Sequence, residues 1–205
     1  MLVTMTRALL VIDVQESFRQ RPLWAAISNP GIAGDVARLV DGARAGGDLV
    51  VWVLHSEPGS GTPFDPASGH VRYLAPLAPE PDEPQLTKTS HNAFTTTGLQ
   101  QLLTQRGIRE LVICGIRTEQ CCETTARVAS DLGYQVTFVT EATATNPIAH
   151  RDAPPGQSVE QLLADPRTLP ASAVIERTEY ALAGRFATIA TIAEVLEAAG
   201  SLTGS

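Results

Sequence analysis

The sequence predicts a three-layer α/β/α fold, doubly wound around a mainly parallel six-stranded sheet. Two observations carry this. Several short runs are apolar at nearly every residue rather than at alternate ones, the pattern of strands covered on both faces. Between them lie segments whose apolar residues recur at helical spacing, so strand and helix alternate along the chain. ALLVID at 8–13 is the first such run, and it ends in an acid. Residues 32–45 show helical spacing through Val36, Leu39, Val40 and Ala43, and Gly46-Gly47 stops the helix. LVVWVLH at 49–55 is the second buried run, and 86–88 is a short third. Residues 98–105 read as a helix closed by Arg106-Gly107. The run at 111–116 is the next strand, followed by a helix at 119–132 with Thr118 as its N-cap. QVTFVT at 135–140 is a strand and 157–164 a helix; AVIER at 173–177 reads as the sixth strand, and 188–199 as the last helix. Residues 57–83 and 147–156 are rich in Pro and Gly and lack periodicity, which suits lids or binding loops. One domain spanning 1–205 is expected, with no linker.

Composition narrows the function. The chain has 205 residues, 43% of them hydrophobic, which supplies a sizeable core. Its net charge of −7 argues against nucleic acid or an anionic membrane surface as the main partner. No apolar stretch approaches the ~20 residues that span a bilayer. Three cysteines in no disulfide-scaffold spacing suit a reducing cytosol. MLVTMTRALLVIDVQ runs straight into a strand, so no secretory leader is expected. These features lead to the expectation of a soluble, cytoplasmic protein.

The chemistry concentrates in LVICGIRTEQCCETTARVASDLGY, where a buried strand turns into a helix. Cys121 and Cys122 fall in the expected first turn. Backbone N–H groups there have no intrahelical partners, and the helix dipole favours an anion. A cysteine so placed is expected to have its thiolate stabilised, and the thiolate is the nucleophile. The same N–H groups can hold an oxyanion. Asp13, ending the first strand, is the candidate base, and Lys88, ending the third, is placed to keep that acid ionised and to lower the thiol pKa. In a parallel sheet ligands collect at the carboxyl ends of strands, where Asp13, His55, Lys88, Ile116 and Glu141 are all expected. Cys114 lies inside a strand and Cys122 shares a helix face with Ala126 and Ala129, so both read as packing.

Three segments resemble the signatures of the isochorismatase-like cysteine hydrolases: VIDVQESF at 11–18, TKTSHNAF at 87–94 and GIRTEQCCETTARVASDLGY at 115–134. The resemblance extends to the closing FATIATIAEVL. It implies a catalytic triad of Asp13, Lys88 and Cys121. It also implies a cis peptide between Ile116 and Arg117, and an oxyanion hole from the backbone N–H groups of Arg117 and Cys121. The implied reaction is hydrolysis of a carbon–nitrogen bond, amide or ureide-type, through a thioester on Cys121. The nicotinamidase branch carries a metal site with an Asp-x-His signature after its second strand. Here LHSEPGSG offers His55 and Glu57 without that signature, so neither a metal, another cofactor nor nicotinamide is expected. Substrate-binding candidates are Phe18, His55, Phe64, His91, Phe94 and Glu119, with Trp24 as a further aromatic. The family usually forms dimers or higher oligomers, so a homo-oligomer is expected. The competing reading is a thiol redox sensor or a non-catalytic scaffold using the Cys121-Cys122 pair.

Overall fold

The computed structural model describes residues 7–201. In chain order the elements are β1 (Arg7–Ile12), α1 (Glu16–Arg19), α2 (Ile32–Gly46), β2 (Leu49–His55), β3 (Gln85–Lys88) and α3 (Leu99–Gln105). Then come β4 (Glu110–Ile116), α4 (Glu123–Asp131), β5 (Gln135–Ala144), α5 (Val159–Ala164), α6 (Ala171–Leu182), β6 (Thr188–Ala190) and α7 (Ile192–Ser201). Short 3-10 turns cover Pro22–Ala26 and Pro66–Ser68. The six strands form one sheet in the order β3-β2-β1-β4-β5-β6, and every neighbouring pair is parallel.

The strands are apolar throughout because both faces are buried. Leu10, Ile12, Val51, Val53 and Ile113 pack on one face against α3, α4 and the end of α6. Leu9, Val11, Val50, Trp52 and Val112 pack on the other against Ile32, Val36, Leu39 and Val40 of α2 and Ile192 of α7. The chain winds outward from β1 to β3, then returns to lay β4 on the other side of β1. That reversal opens a crevice at the carboxyl ends of β1 and β4, where open α/β sheets bind ligands.

Gly115 allows the crevice to close tightly at its base. Its φ is +132°, and a Cβ built there would lie 1.9 Å from the Ile12 carbonyl oxygen. Only glycine combines that dihedral with that approach. The β4–β5 register shifts at the same point, between Ile113 and Gly115.

Several expectations need correction. Residues 173–177 lie within helix α6, not a strand. Five mixed residues do not distinguish the two periods; the longer window does, with Val174, Thr178 and Leu182 buried at a four-residue spacing after Pro170. The sixth strand is Thr188–Ala190, inside the stretch expected to be purely helical, and the last helix starts only at Ile192. Strand β5 runs to Ala144, so Glu141 lies within it. Its carboxylate accepts the Ile192 N–H at 2.9 Å, capping α7 rather than facing the crevice. Helix α4 proper begins at Glu123, preceded by a π-helical turn over Thr118–Cys122. Thr118 does not cap it; its hydroxyl donates to Thr143 Oγ1 at 2.8 Å.

Candidate active site

Asp13, Lys88 and Cys121 meet in the crevice. Strand β1 ends at Ile12, and Asp13 turns its backbone out of the sheet with φ +53°, the one non-glycine residue in the left-handed region among those described. Its N–H still donates to the Val53 carbonyl at 2.8 Å, which fixes the turn against β2. Lys88 ends β3 in register with His55. Its long side chain reaches beneath β2's end and is completely buried. Cys121 enters from the π turn after β4 and is 6% exposed.

Lys88 Nζ lies 2.6 Å from Asp13 Oδ2, 3.3 Å from Cys121 Sγ and 3.3 Å from His55 Nδ1. The Asp13 contact is a buried ion pair, and among the described residues only Lys88 and the Cys121 thiol approach the carboxylate as donors. Burial raises the Asp13 pKa, only partly opposed by Lys88. For Lys88 the balance is reversed: burial disfavours the ammonium, but Asp13 and Cys121 outweigh it and raise its pKa. The Cys121 thiol is pushed up to about 12 by burial and then by Asp13, against the pull of Lys88. This corrects the expectation of a stabilised thiolate. The helix start is outweighed by desolvation, so the resting sulfur keeps its proton and needs a base.

The peptide between Ile116 and Arg117 is cis. Arg117 is half-buried, and its guanidinium forms no hydrogen bond or ion pair among the described residues. Burial lowers its pKa, while Glu119 acts on it as a nearby opposite charge and Arg21 as a like one. Glu119 is also half-buried. One of its oxygens accepts the Thr145 hydroxyl at 2.5 Å, and the other is buried without a partner.

The other candidates divide. Phe18 and Phe64 pack edge to face at 4.9 Å, and the His55 ring meets Phe64 at 5.7 Å, forming one aromatic wall beside Lys88. Phe94 is buried in the core and stacks on Tyr134, and Trp24 packs against α2's side of the sheet; both serve packing. His91 is exposed and hydrogen-bonds to none of Asp13, Lys88 and Cys121. Cys114 and Cys122 are fully buried free thiols. Among the described residues no group of three His, Cys, Asp or Glu side chains converges as a metal site. No helix among them is long and apolar enough to cross a membrane.

Two positioning residues escaped the sequence reading. Gln15, fully buried, clamps the His55 backbone in both directions: it accepts the His55 N–H at 2.7 Å and donates to the His55 carbonyl at 3.0 Å. Thr125 donates to the Cys121 carbonyl at 2.6 Å and accepts the Ala93 N–H at 3.1 Å, tying the thiol-bearing turn to the loop after β3. For Gln15 the available signal was a polar residue shortly after the apolar run of β1; Thr125, among the polar residues of ETTAR, offered none.

Comparison with known proteins supplies the family. The Isochorismatase domain model matches residues 7–154. Streptothricin hydrolase from Streptomyces noursei is 36% identical over 179 residues, covering 86% of this chain but 65% of that protein's own length. Nicotinamidase 3 from Arabidopsis thaliana is 32% identical over 155 residues, covering 67% of this chain and 73% of that one. A solved isochorismatase-family protein from Chromobacterium violaceum ATCC 12472 shares the fold, with a TM-score of 0.83 at 24% identity over 98% of this chain and 96% of that one. With most of its length matched by the domain model, this chain belongs to the isochorismatase family.

Proposed function

We propose that the chain is a cysteine-dependent hydrolase that cleaves a carbon–nitrogen bond, amide or ureide-type, in a small molecule. The observation that carries this reading is the buried contact of Asp13, Lys88 and Cys121 at the sheet's reversal point. A buried carboxylate with a raised pKa next to a protonated thiol is suited to take its proton. The names of two relatives, a streptothricin hydrolase and a nicotinamidase, agree with hydrolysis of this kind.

In this scheme Asp13 takes the Cys121 proton as the sulfur attacks the carbonyl carbon and a C–S bond forms. Lys88 offsets the negative charge wherever the proton sits. The backbone N–H groups of Arg117 and Cys121 stabilise the oxyanion, each donor contributing about 3 kcal/mol. Collapse breaks the C–N bond, and Asp13 returns the proton to the departing nitrogen. Water then gives a proton to Asp13 and attacks the thioester. The C–S bond breaks, and the proton returns to sulfur. Net consumption is one water, and the products are an acid and an amine. Phe18 and Phe64 form an apolar side for the substrate, and the unpaired Arg117 guanidinium is suited to a polar or anionic end. Cys122 is sealed in the core, which leaves a vicinal thiol sensor without the access it needs.

The test is a panel of small amides with wild type and Cys121→Ala. Wild type should release a burst of amine, and its intact mass should rise by the acyl fragment. Cys121→Ala should abolish both with its melting temperature preserved. Unchanged turnover in that variant rejects Cys121 as the nucleophile.

A further inference from the structure

Lys88 has a third neighbour that the scheme above does not use. An ammonium carries three N–H bonds and no lone pair. Besides Asp13 and Cys121, its remaining contact is His55 Nδ1 at 3.3 Å. A charged Lys88 therefore requires a lone pair on Nδ1, which places the ring proton on Nε2. That nitrogen faces Glu57 Oε1 at 3.4 Å, a carboxylate able to accept it, and the second Glu57 oxygen accepts the Thr62 hydroxyl at 3.0 Å. The ring is not free to leave. Its backbone is held twice by Gln15, its ring abuts Phe64, and its residue is in register with Lys88 across the β2–β3 ladder.

We propose that His55 is a positioning residue: as the neutral Nε2–H imidazole it completes the shell of the Lys88 ammonium, holds it between Asp13 and Cys121, and disables the site when protonated. This rests on Asp13, Lys88 and Cys121 being the reactive groups. The charged groups that face the ring are Lys88 from β3, Asp13 from the end of β1 and Glu57 from the loop after β2. Burial and then Lys88 disfavour its protonation, against the weaker pull of Asp13 and Glu57. Protonation puts an N–H against an ammonium, removing an acceptor and adding a like charge in one step.

Two measurements test this on the intact protein. The first is a long-range ¹H–¹⁵N spectrum of the imidazole nitrogens across pH. The chain has four histidines, so the His55 signal is identified by its loss in His55→Asn. The expected result is an Nε2–H tautomer that titrates below the ordinary histidine range. The second is the rate of Cys121 alkylation by iodoacetamide, read by mass spectrometry against pH. His55→Asn keeps an oxygen acceptor near the Nδ1 position and should react within a few fold of wild type at neutral pH, with the histidine-linked acid fall-off gone. His55→Leu removes the acceptor and should react about tenfold or more slowly, the loss expected for one hydrogen bond to a charged group. A Nδ1–H tautomer, an imidazolium at neutral pH, or an unchanged rate and pH profile in His55→Leu overturns the role of His55 alone. Failure of Cys121 to alkylate in wild type at any pH overturns the nucleophile reading and this inference with it.

Discussion

Two buried carboxylates lie either side of the same helical turn and are treated in opposite ways. Glu123, the first residue of α4, is saturated. One oxygen accepts Arg127 at 2.8 Å; the other accepts Arg177 at 2.5 Å and Thr178 at 3.1 Å. These bonds tie α4 to α6, and Arg127 in turn lies 4.4 Å over the Phe186 ring. Asp13, reached through Cys121, has only the Lys88 cation at 2.6 Å and the Cys121 thiol beside it, a left-handed backbone and a raised pKa. A saturated carboxylate holds elements together. One left short of donors retains affinity for a proton, which is what a general base needs.

The sharpest way to break this comparison is to remove both charges of the reactive pair. The double variant Asp13→Asn, Lys88→Met should lose at least ~10³-fold in kcat/KM, the scale seen when a member of a catalytic unit is deleted. Its melting temperature should not fall, because replacing a buried ion pair by neutral groups of similar volume is often neutral or stabilising. A matching fall in stability would show that Asp13 and Lys88 are structural, like Glu123.

Glu123→Ala should do the converse. It strands two guanidinium groups and should lower unfolding free energy by about 3 kcal/mol, read from denaturant midpoints. Because Arg177 is 58% exposed and can recover water, the loss should fall short of a fully buried pair. Turnover per folded molecule should change less than tenfold. Loss of turnover in a fully folded Glu123→Ala protein would erase the distinction.

The pH profile sharpens the comparison with a smaller effect. Asp13 acts as a base only when ionised, and its folded pKa is raised. Activity should therefore be complete above that raised value and fall as pH drops through it, above the ordinary carboxylate range. On the alkaline side the thiol is held at about 12 and the Lys88 pKa is raised, so kcat/KM should stay flat past the usual thiol titration. A fall-off near pH 8–9, where an ordinary thiol ionises, would contradict the burial of Cys121.

The layered architecture was legible because it rests on short, local signals, and the meeting of Asp13, Lys88 and Cys121 was expected from the strand ends together with the family motifs. Buried parallel strands are apolar at nearly every position, and Asp13, Lys88 and Cys121 each sit at or near the end of such a run. What was not legible depends on longer range. AVIER is too short to reveal its period, so a helix was read as a strand. The supposed low thiol pKa followed from the helix start and the expected neighbouring lysine, whereas the burial that reverses it comes from elements far apart in the chain. Glu141 was misplaced because the length of β5 is set by a register shift against β4, not by composition. Gln15 and Thr125 lay inside quoted motifs, but their partners, the backbone of His55 and the carbonyl of Cys121, are visible only after folding.

The bare α-carbon at position 115 has a consequence for redesign. Because any side chain there would overlap the carbonyl just before Asp13, main-chain nesting sets the spacing between the strand that bears the acid and the one that leads to the sulfur. Side chains lining the mouth can thus be exchanged to suit a new substrate without resetting that spacing. A randomised library should tolerate variety at Phe18, Phe64 and Glu119 while recovering glycine alone at 115.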